Sequence, residues 1–274
     1  MDIASSVILG VVEGITEFLP ISSTGHLILA SNLLRIEQTE FVKTFEIAIQ
    51  SGAILSVVFL YHRTIFRDFE LGKRIFVAFI PTAIIGFLLY KVIKQYLIGN
   101  TDVVLLSLFL GGIILIAIEL FMQAKGGDLN LRSDLRREFG SVSKYEAPTD
   151  KLSYERAFVI GLFQSISVVP GVSRAAATII GGMLVGLPRK TAVEFSFLLA
   201  IPTMLAATAL DIRQTSFSFD SNQWEAFALG FTTSFIIALI AIKWLVKYVQ
   251  NHSFIAFGIY RIVLSIIYFL VFLS

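Results

Sequence analysis

The chain has 274 residues, of which 56% are hydrophobic and 15% are charged, against the roughly 25% charged residues of an average soluble domain. The net charge of +2 gives no indication of nucleic-acid binding, and the absence of cysteine excludes disulfides, thiolate catalysis and thiolate metal sites. Several apolar runs approach the roughly 20 residues that a bilayer-spanning helix requires, so the composition predicts an all-α polytopic membrane protein.

The first predicted element is an apolar stretch, residues 3–19, that is too short and too interrupted to cross a bilayer. It stops at Pro20 and resumes after the Ser-Ser-Thr-Gly run at residues 22–25. A broken helix is tolerated in a membrane only where protein covers it or where it lines a cavity. The pattern therefore predicts a re-entrant helical hairpin.

The same pattern returns after a polar segment, residues 125–153, which we interpret as a solvent loop. The apolar stretch 158–169 stops at Pro170 and resumes at Ser173, which predicts a second re-entrant hairpin. Three runs of nearly spanning length follow each hairpin. They predict six transmembrane helices, at residues 45–61, 75–93, 103–122, 191–210, 224–246 and 254–273.

The two halves of the chain resemble each other. GVVEGITEFLPISS from residue 10 is similar to GLFQSISVVPGVS from residue 161, which places Glu13 opposite Gln164 and, with a one-residue slip before the proline, Ser23 opposite Ser173. Since each half has three spans, the second half must enter the membrane from the other side. The sequence thus predicts a single membrane domain built as an inverted-topology repeat, with repeats at 1–123 and 154–274 and a cytoplasmic loop at 124–153.

The distribution of lysine and arginine predicts the orientation. One predicted face is rich in basic residues, and short loops rich in Lys and Arg stay in the cytoplasm. Both termini then face outward, and the first hairpin enters from outside. The basic face holds Arg63, Arg67, Lys73, Arg74, Lys125, Arg132, Arg136, Arg137, Lys144, Lys151, Arg156, Arg189, Lys190, Lys243 and Lys247, and the other holds Arg35, Lys43, Lys91, Lys94 and Arg213.

Two carboxylates precede the first break. Glu13 and Glu17 are four residues apart, so on a helix they share one face. Such a pair suits a hard divalent cation, and one member suits general-base chemistry. The alternative is a solvated helix end, because Glu13 lies near the N-terminus.

The first break itself carries hydroxyls and a histidine. The hydroxyls of Ser22, Ser23 and Thr24 can cap the next helix, whose N-terminus would attract an anion. A serine there is also a candidate nucleophile if a base lies nearby. Ordinary capping needs only one hydroxyl, and three beside Glu17 and His26 favour function. His26 is a candidate acid, base or orienting group, although a lone histidine is more often structural.

The second break also has a serine that can cap a helix, and here an arginine follows it. Ser173 can cap the following helix, Arg174 occupies its first turn, and Thr178 lies one turn further on. An arginine at this end of a helix is unfavourable unless an anion binds there, and its planar fork suits phosphate. The alternative for Arg174 is a structural ion pair with a glutamate. Four other charged residues lie in predicted membrane segments. We interpret Glu46 as a further member of the carboxylate cluster and Glu194 as an interfacial residue. We expect Glu119 and Arg261 to form structural ion pairs.

EGITEFLPISSTGH at residues 13–26 and PGVSRAAATI at residues 170–179 resemble the two signature motifs of the undecaprenyl-diphosphate phosphatase family, the bacitracin-resistance membrane proteins. FEIAIQSGAIL at residue 45, EFSFLLAIP at 194, ALIAIKWL at 238 and FGIYRIV at 257 extend the resemblance over nearly the whole chain. The family usually has serine directly after the arginine of the second motif, where this chain has Ala175.

The resemblance implies an enzyme of the bacterial plasma membrane that hydrolyses the diphosphate of a polyprenyl carrier lipid, giving the monophosphate and phosphate. This reaction recycles the carrier for peptidoglycan synthesis and confers bacitracin resistance. By resemblance, the active site opens outward and uses a divalent cation, Mg²⁺ or Ca²⁺. The family's motif residues fall on Glu13, Glu17, Ser22, Ser23, Thr24, His26, Ser173, Arg174 and Thr178.

Our hypothesis for the mechanism gives each motif residue a role. Glu13 and Glu17 hold the cation, Ser23 is the nucleophile, and Glu17 or His26 is its base. The phosphates are bound by Ser22, Thr24, Ser173, Arg174 and Thr178. Direct attack by a metal-bound water is the alternative. A flippase of the polyprenyl phosphate is the competing function, because inverted repeats are also transporter architecture, and a small-solute channel is a poorer third. The sequence leaves a homodimer open.

Overall fold

A computed structural model describes residues 1–92, 97, 100–124, 152–212 and 220–272. These residues form ten α-helices and one 3₁₀ turn, Ile166–Val168. The helices are α1 (Ile3–Thr16), α2 (Ser23–Leu33), α3 (Glu40–Arg67), α4 (Phe69–Val92), α5 (Thr101–Ala124), α6 (Tyr154–Ser165), α7 (Arg174–Leu184), α8 (Arg189–Ile212), α9 (Ser221–Tyr248) and α10 (Ile255–Phe272).

Five of these helices are long and apolar enough to cross a membrane, namely α3, α4, α5, α8 and α9. They correspond to five of the six predicted spans, and they make the chain a multi-pass helical membrane protein. The sixth predicted span coincides with α10, which is apolar but shorter than the other five. The predicted solvent loop lies, apart from Leu152 and Ser153, outside the described residues.

The helices extend beyond the apolar windows that predicted them. The first window, 45–61, lies inside a 28-residue helix that begins at Glu40 and ends at Arg67. Thr39 caps this helix by accepting a hydrogen bond from the N–H of Val42 at 3.3 Å, so the polar first turn remains helical. Hydropathy marks only the part of a helix that lipid or protein covers, whereas capping sets its ends.

The two halves of the chain interleave. α1 packs mainly against α9, and its counterpart α6 packs mainly against α4. The first half holds α1–α5 and the second half holds α6–α10. The third helix of each half contacts the other (α3 and α8), and so does the fifth (α5 and α10). Small residues permit this close approach: a Cβ on Gly10 would lie 2.7 Å from the carbonyl oxygen of Gly230, and a Cβ on Gly161 would collide with the Ala78 carbonyl group.

The two breaks share one backbone conformation. Ser22 has a φ of 73° and Ser173 a φ of 75°, values that residues other than glycine rarely adopt. Each serine caps the following helix, accepting from Gly25 N at 3.3 Å or Ala176 N at 3.1 Å. Ser22 and Ser173 are separated by the same number of residues as Glu13 and Gln164. The predicted slip was therefore wrong: Ser22, not Ser23, is the counterpart of Ser173.

Candidate active site

The two breaks meet at the carboxylate of Glu17. Ser23 Oγ, at the start of α2, donates to Glu17 Oε2 at 2.5 Å. Arg174 Nη2, at the start of α7, donates to Glu17 Oε1 at 2.9 Å. Only 6% of Glu17 and 8% of Ser23 is exposed, so water screens these interactions weakly. The structure thus brings three of the four predicted catalytic residues into direct contact, from both halves of the chain.

Arg174 is held from several directions. Its Nη1 donates to the carbonyl oxygen of Ser196 at 2.9 Å, and its guanidinium carbon lies 5.9 Å from the centroid of the Phe18 ring. Its Nε is buried and has no hydrogen-bond partner. The guanidinium is therefore held beside Glu17, and its Nε–H is left without an acceptor.

Two helix N-termini begin at this group. The caps of Ser22 and Ser173 satisfy the N–H of the third residue in each helix. The N–H groups of the first two residues, 23 and 24 in α2 and 174 and 175 in α7, have no acceptor inside their own helices. Positive dipole ends then add to the charge of Arg174, an arrangement suited to phosphate. The side chain of Ala175 is fully buried in the main apolar cluster, while its backbone stays at the helix start.

His26 lies beside the group but does not contact the other catalytic candidates. Its Nδ1 is 2.7 Å from the carbonyl oxygen of Ser22, and its Nε2 is 2.7 Å from Tyr260 Oη. A carbonyl oxygen only accepts, so this network assigns the ring proton to Nδ1 and makes Nε2 the acceptor of the Tyr260 hydroxyl. Of the two candidate bases, Glu17 is therefore the one that is hydrogen-bonded to Ser23. Sequence reasoning missed Tyr260, whose only signal was its place in the FGIYRIV match.

Thr178, one of the predicted phosphate ligands, has its hydroxyl hydrogen-bonded within the protein. Its Oγ1 donates to the carbonyl oxygen of Arg174, at 2.9 Å, and is 2.5 Å from Ser196 Oγ. Only 1% of Thr178 is exposed. The hydroxyl thus braces the first turn of α7 and the Ser196 backbone that holds Arg174. Thr24, in contrast, has an exposed side chain.

Glu13 is the carboxylate of the site that has no hydrogen-bond partner. It is 0% exposed, and neither of its carboxylate oxygens has a hydrogen-bond partner. The charges that act on it are those of Glu17, Glu46 and Arg174. Glu46 itself has only long contacts to Ser31 and Gln38, at 3.5 Å each. The described residues include no group of three or more acidic, histidine or cysteine side chains placed to hold a metal ion.

Arg261 of α10 was predicted to form a structural ion pair, but it binds backbone carbonyl groups instead. The side chain is 0% exposed, and all three guanidinium nitrogens donate. Their five acceptors come from both breaks and from α5, at 3.0–3.2 Å. They are the carbonyl oxygens of Pro20, Ser107, Leu108, Gly171 and Val172.

Two further buried carboxylates, Glu119 and Glu194, lie outside these contacts. Glu119 does form a structural pair, with Arg189, and it also accepts from the backbone N–H of Phe254 at 3.3 Å. Glu194, which was expected near the membrane interface, is buried inside the protein. The Tyr61 hydroxyl donates to one of its oxygens at 3.5 Å, and Lys190 Nζ lies 3.9 Å from the same oxygen.

The fold and the site together define a multi-pass helical membrane protein with a buried serine–carboxylate–arginine group at two helix N-termini. The family model described as bacitracin resistance protein BacA matches residues 6–267, and the chain belongs to this family. An undecaprenyl-diphosphatase of Sulfurihydrogenibium sp. (strain YO3AOP1) is 54% identical over 98% of this chain and 99% of its own length.

Other curated relatives carry the same description. One from Aquifex aeolicus (strain VF5) is 53% identical over 96% of both chains. One from Wolinella succinogenes is 45% identical over 98% of this chain and 97% of its own. The similarity extends across every described element, including both breaks.

Proposed function

We propose that this protein hydrolyses undecaprenyl diphosphate at the group formed by Glu17, Ser23 and Arg174. The activity follows from family membership: the chain is an undecaprenyl-diphosphatase, matched over nearly its full length. The assignment of that activity to these residues rests on one observation. A single buried carboxylate accepts both from a serine hydroxyl and from an arginine guanidinium.

In the first step, Ser23 Oγ attacks the terminal phosphorus of the diphosphate. The hydroxyl proton passes to Glu17 Oε2, the atom to which it is already hydrogen-bonded at 2.5 Å. A bond forms between Ser23 Oγ and phosphorus, and the anhydride P–O bond breaks. Undecaprenyl phosphate leaves with the bridging oxygen, and Ser23 carries the phosphoryl group.

In the second step, water attacks the phosphoserine and displaces Ser23 Oγ. Glu17 returns the proton to the serine oxygen as the P–O bond to serine breaks, and the protons of the water remain on inorganic phosphate. Arg174 and the free N–H groups of α2 and α7 stabilise the charge that develops on the transferred phosphoryl oxygens. When Glu17 takes the serine proton it loses its charge, so Arg174 is released to the phosphate.

A divalent cation fits the carboxylate that has no other partner. Glu13, buried with both oxygens unsatisfied, would hold Mg²⁺ or Ca²⁺, whereas Glu17, the other predicted ligand, already has one oxygen engaged by Ser23 and the other by Arg174. Such a cation supplies neutralisation of phosphate charge and orientation for in-line transfer. Without a cation, a proton is what makes the burial of Glu13 tolerable, because an isolated buried carboxylate is costly.

The two breaks are proposed to be tips of re-entrant hairpins in an inverted-topology repeat. The equivalent packing of α1 on α9 and of α6 on α4 supports this, as do the matched caps at Ser22 and Ser173. With the basic face in the cytoplasm, the first hairpin and the site open outward. This places hydrolysis on the outer side of the plasma membrane, where the released carrier can return to peptidoglycan synthesis.

The experiment that tests the proposal is phosphate release from undecaprenyl diphosphate by purified protein in detergent, followed by acid quenching and mass spectrometry of the 13–26 peptide. We expect inorganic phosphate and a transient phosphoserine at Ser23. Release of phosphate without any modified serine would support direct attack by water. A protein that only flips the lipid would release no phosphate.

A further inference from the structure

We propose that Tyr260 of α10 is a positioning residue for phosphate release, which acts through His26 on the peptide group between Ser22 and Ser23. The hydroxyl of Tyr260 lies 2.7 Å from His26 Nε2, and His26 Nδ1 lies 2.7 Å from the carbonyl oxygen of Ser22. These contacts connect α10 to the residue that directly precedes Ser23. The inference rests on the proposed function, in which the N–H of Ser23 stabilises the transferred phosphoryl group.

The Tyr260 hydroxyl determines which nitrogen of His26 carries the ring proton. A neutral imidazole has one donor nitrogen and one acceptor nitrogen, and a carbonyl oxygen only accepts. A hydroxyl that donates to Nε2 therefore favours the tautomer with the proton on Nδ1, which is the tautomer that can donate to Ser22. The two rings are also stacked, with centroids 5.5 Å apart and planes inclined by 7°, so stacking and hydrogen bonding together fix the imidazole.

The imidazole in turn fixes the peptide group that precedes the proposed nucleophile. A trans peptide is planar, and its carbonyl oxygen and its N–H point in opposite directions. While His26 Nδ1 holds the carbonyl oxygen of Ser22, the N–H of Ser23 is therefore turned away from the imidazole. This N–H has no acceptor inside α2, and the proposed function assigns it to the phosphoryl oxygens. A rotated peptide would remove that donor from the transition state.

The strained backbone of the first break explains why this additional contact is needed. Ser22 has a φ of 73°, and such a conformation persists only where the surrounding contacts hold it. Its carbonyl oxygen accepts from the backbone N–H of His26 at 3.2 Å and from the ring at the shorter distance of 2.7 Å. In the second half the position of His26 is taken by Ala177, but Arg261 donates to two carbonyl groups of that break and to only one of the first. His26 and Tyr260 thus supply to the first break a restraint that Arg261 supplies to the second.

Removal of the hydroxyl tests the role of Tyr260. Tyr260→Phe keeps the stacked ring, and the residue is 44% exposed, so the substitution leaves no buried cavity. We expect kcat for phosphate release by the full-length protein to fall about tenfold and KM to stay within about twofold, because the lost contact acts on the transition state. Tyr268→Phe is the matched control, since it removes a hydrogen bond between the same two helices, donated by Asn32 Nδ2 at 2.9 Å. It should change neither constant, and equal effects of the two substitutions, or full activity of Tyr260→Phe, would overturn the proposal.

A double-mutant cycle tests whether Tyr260 acts through the imidazole. In His26→Asn the side-chain amide can still donate to the Ser22 carbonyl oxygen, but no atom takes the place of Nε2. In that background Tyr260→Phe should therefore cause no further loss of kcat. Losses that multiply independently would show that Tyr260 affects the reaction by another route, which contradicts the proposal.

The tautomer of His26 can be observed directly, without turnover. The chain has three histidines, so nitrogen-15 labelling of histidine gives a simple NMR spectrum in detergent, and His26→Asn identifies the resonances of His26. The proton should lie on Nδ1 in the parent protein. Tyr260→Phe should move the Nε2 resonance, and Tyr268→Phe should leave it in place. A proton on Nε2 in the parent protein, or an Nε2 resonance that does not respond to Tyr260→Phe, would overturn the proposal.

These measurements separate the positioning role of Tyr260 from the proposed role of Ser23. If Ser23→Ala stays active while Tyr260→Phe loses turnover and moves the Nε2 resonance, Ser23 is not the nucleophile and the positioning of its N–H stands. If Ser23→Ala is inactive and Tyr260→Phe is fully active, the positioning role alone is wrong.

Discussion

At the scale of single residues, the proposed chemistry depends on one carboxylate, that of Glu17, which two other site residues share. Glu17 is fixed by the Ser23 hydroxyl on one side and by the Arg174 guanidinium on the other. The serine proton therefore has a defined acceptor before substrate arrives. His26 is hydrogen-bonded to Ser22 and Tyr260 instead, so the proposed mechanism gives it an orienting role at the first break and not the role of base.

Replacement of Ser23, the proposed nucleophile, is the first test. Ser23→Ala removes the attacking oxygen, and we expect kcat for phosphate release to fall by about 10³-fold or more. The substitution leaves the cap intact, because Ser22 supplies it. Activity within about tenfold of the parent protein would show that water attacks directly.

Replacement of Glu17, the proposed base, tests both the proposed chemistry and the buried ion pair with Arg174. Glu17→Gln keeps the shape of the side chain but removes the charge opposite Arg174, so turnover should be lost. Breaking a buried pair costs about 3 kcal/mol or more, and thermal unfolding in detergent should show the loss. Glu40→Gln breaks the exposed pair with Lys43 and should cost about 0.5 kcal/mol or less. Equal effects of the two substitutions would argue against a strong Glu17–Arg174 interaction.

At the scale of elements, the site is built on the two helix breaks and on α10, which is hydrogen-bonded to both of them through Arg261. Arg261 donates to Pro20 of the first break and to Gly171 and Val172 of the second. Its donors thus set the distance between the two helix N-termini. α10 contributes Tyr260 to His26 as well, so one short helix positions both halves of the site.

Arg261→Lys should separate positioning from chemistry. Lysine keeps the charge but cannot reach five carbonyl groups, so buried acceptors are left unsatisfied, at a cost of roughly 2–4 kcal/mol. If the breaks move apart, kcat for phosphate release falls even when activity is measured at temperatures where the variant is fully folded. Ser265→Ala on the same helix is the control, because its hydroxyl bonds only within α10. Unchanged kinetics in folded Arg261→Lys would remove the proposed positioning role.

Close helix contact gives a further prediction, for stability. Gly161→Ala forces a methyl group into the backbone of Ala78, and we expect a loss of about 1–3 kcal/mol in the free energy of unfolding. Gly86→Ala introduces the same methyl into open space and should be neutral or stabilising, by up to about 1 kcal/mol. Thermal unfolding of the two variants in one detergent makes the comparison, and equal behaviour would contradict the close packing of α6 on α4.

At the scale of the whole molecule, the sequence predicted those features that local chemistry sets. Pro20 and the hydroxyl run after it identified the first break, and Pro170 with Ser173 identified the second. The motifs that contain Glu17, Ser23 and Arg174 identified the residues that meet there. The acceptors of Arg261 were not predictable, because every residue carries a carbonyl group and no pattern distinguishes the five used. Hydropathy likewise missed the polar ends of α3. The alignment of the two halves was wrong by one residue at the breaks, because it matched Pro20 with Pro170. The equivalent residues are instead the two capping serines, Ser22 and Ser173.

The orientation of the site can be tested because the chain has no cysteine. Glu37, between α2 and α3, and Asn251, between α9 and α10, are both exposed and fall on opposite faces of the proposed topology. In intact spheroplasts, a membrane-impermeant maleimide should label Glu37→Cys at once and Asn251→Cys only after permeabilisation. Thr24→Cys, whose side chain is exposed at the start of α2, should label from outside with Glu37→Cys, and bound substrate should slow that labelling. Labelling of Thr24→Cys only from inside would mean that the first break opens to the cytoplasm, which would exclude hydrolysis on the outer face.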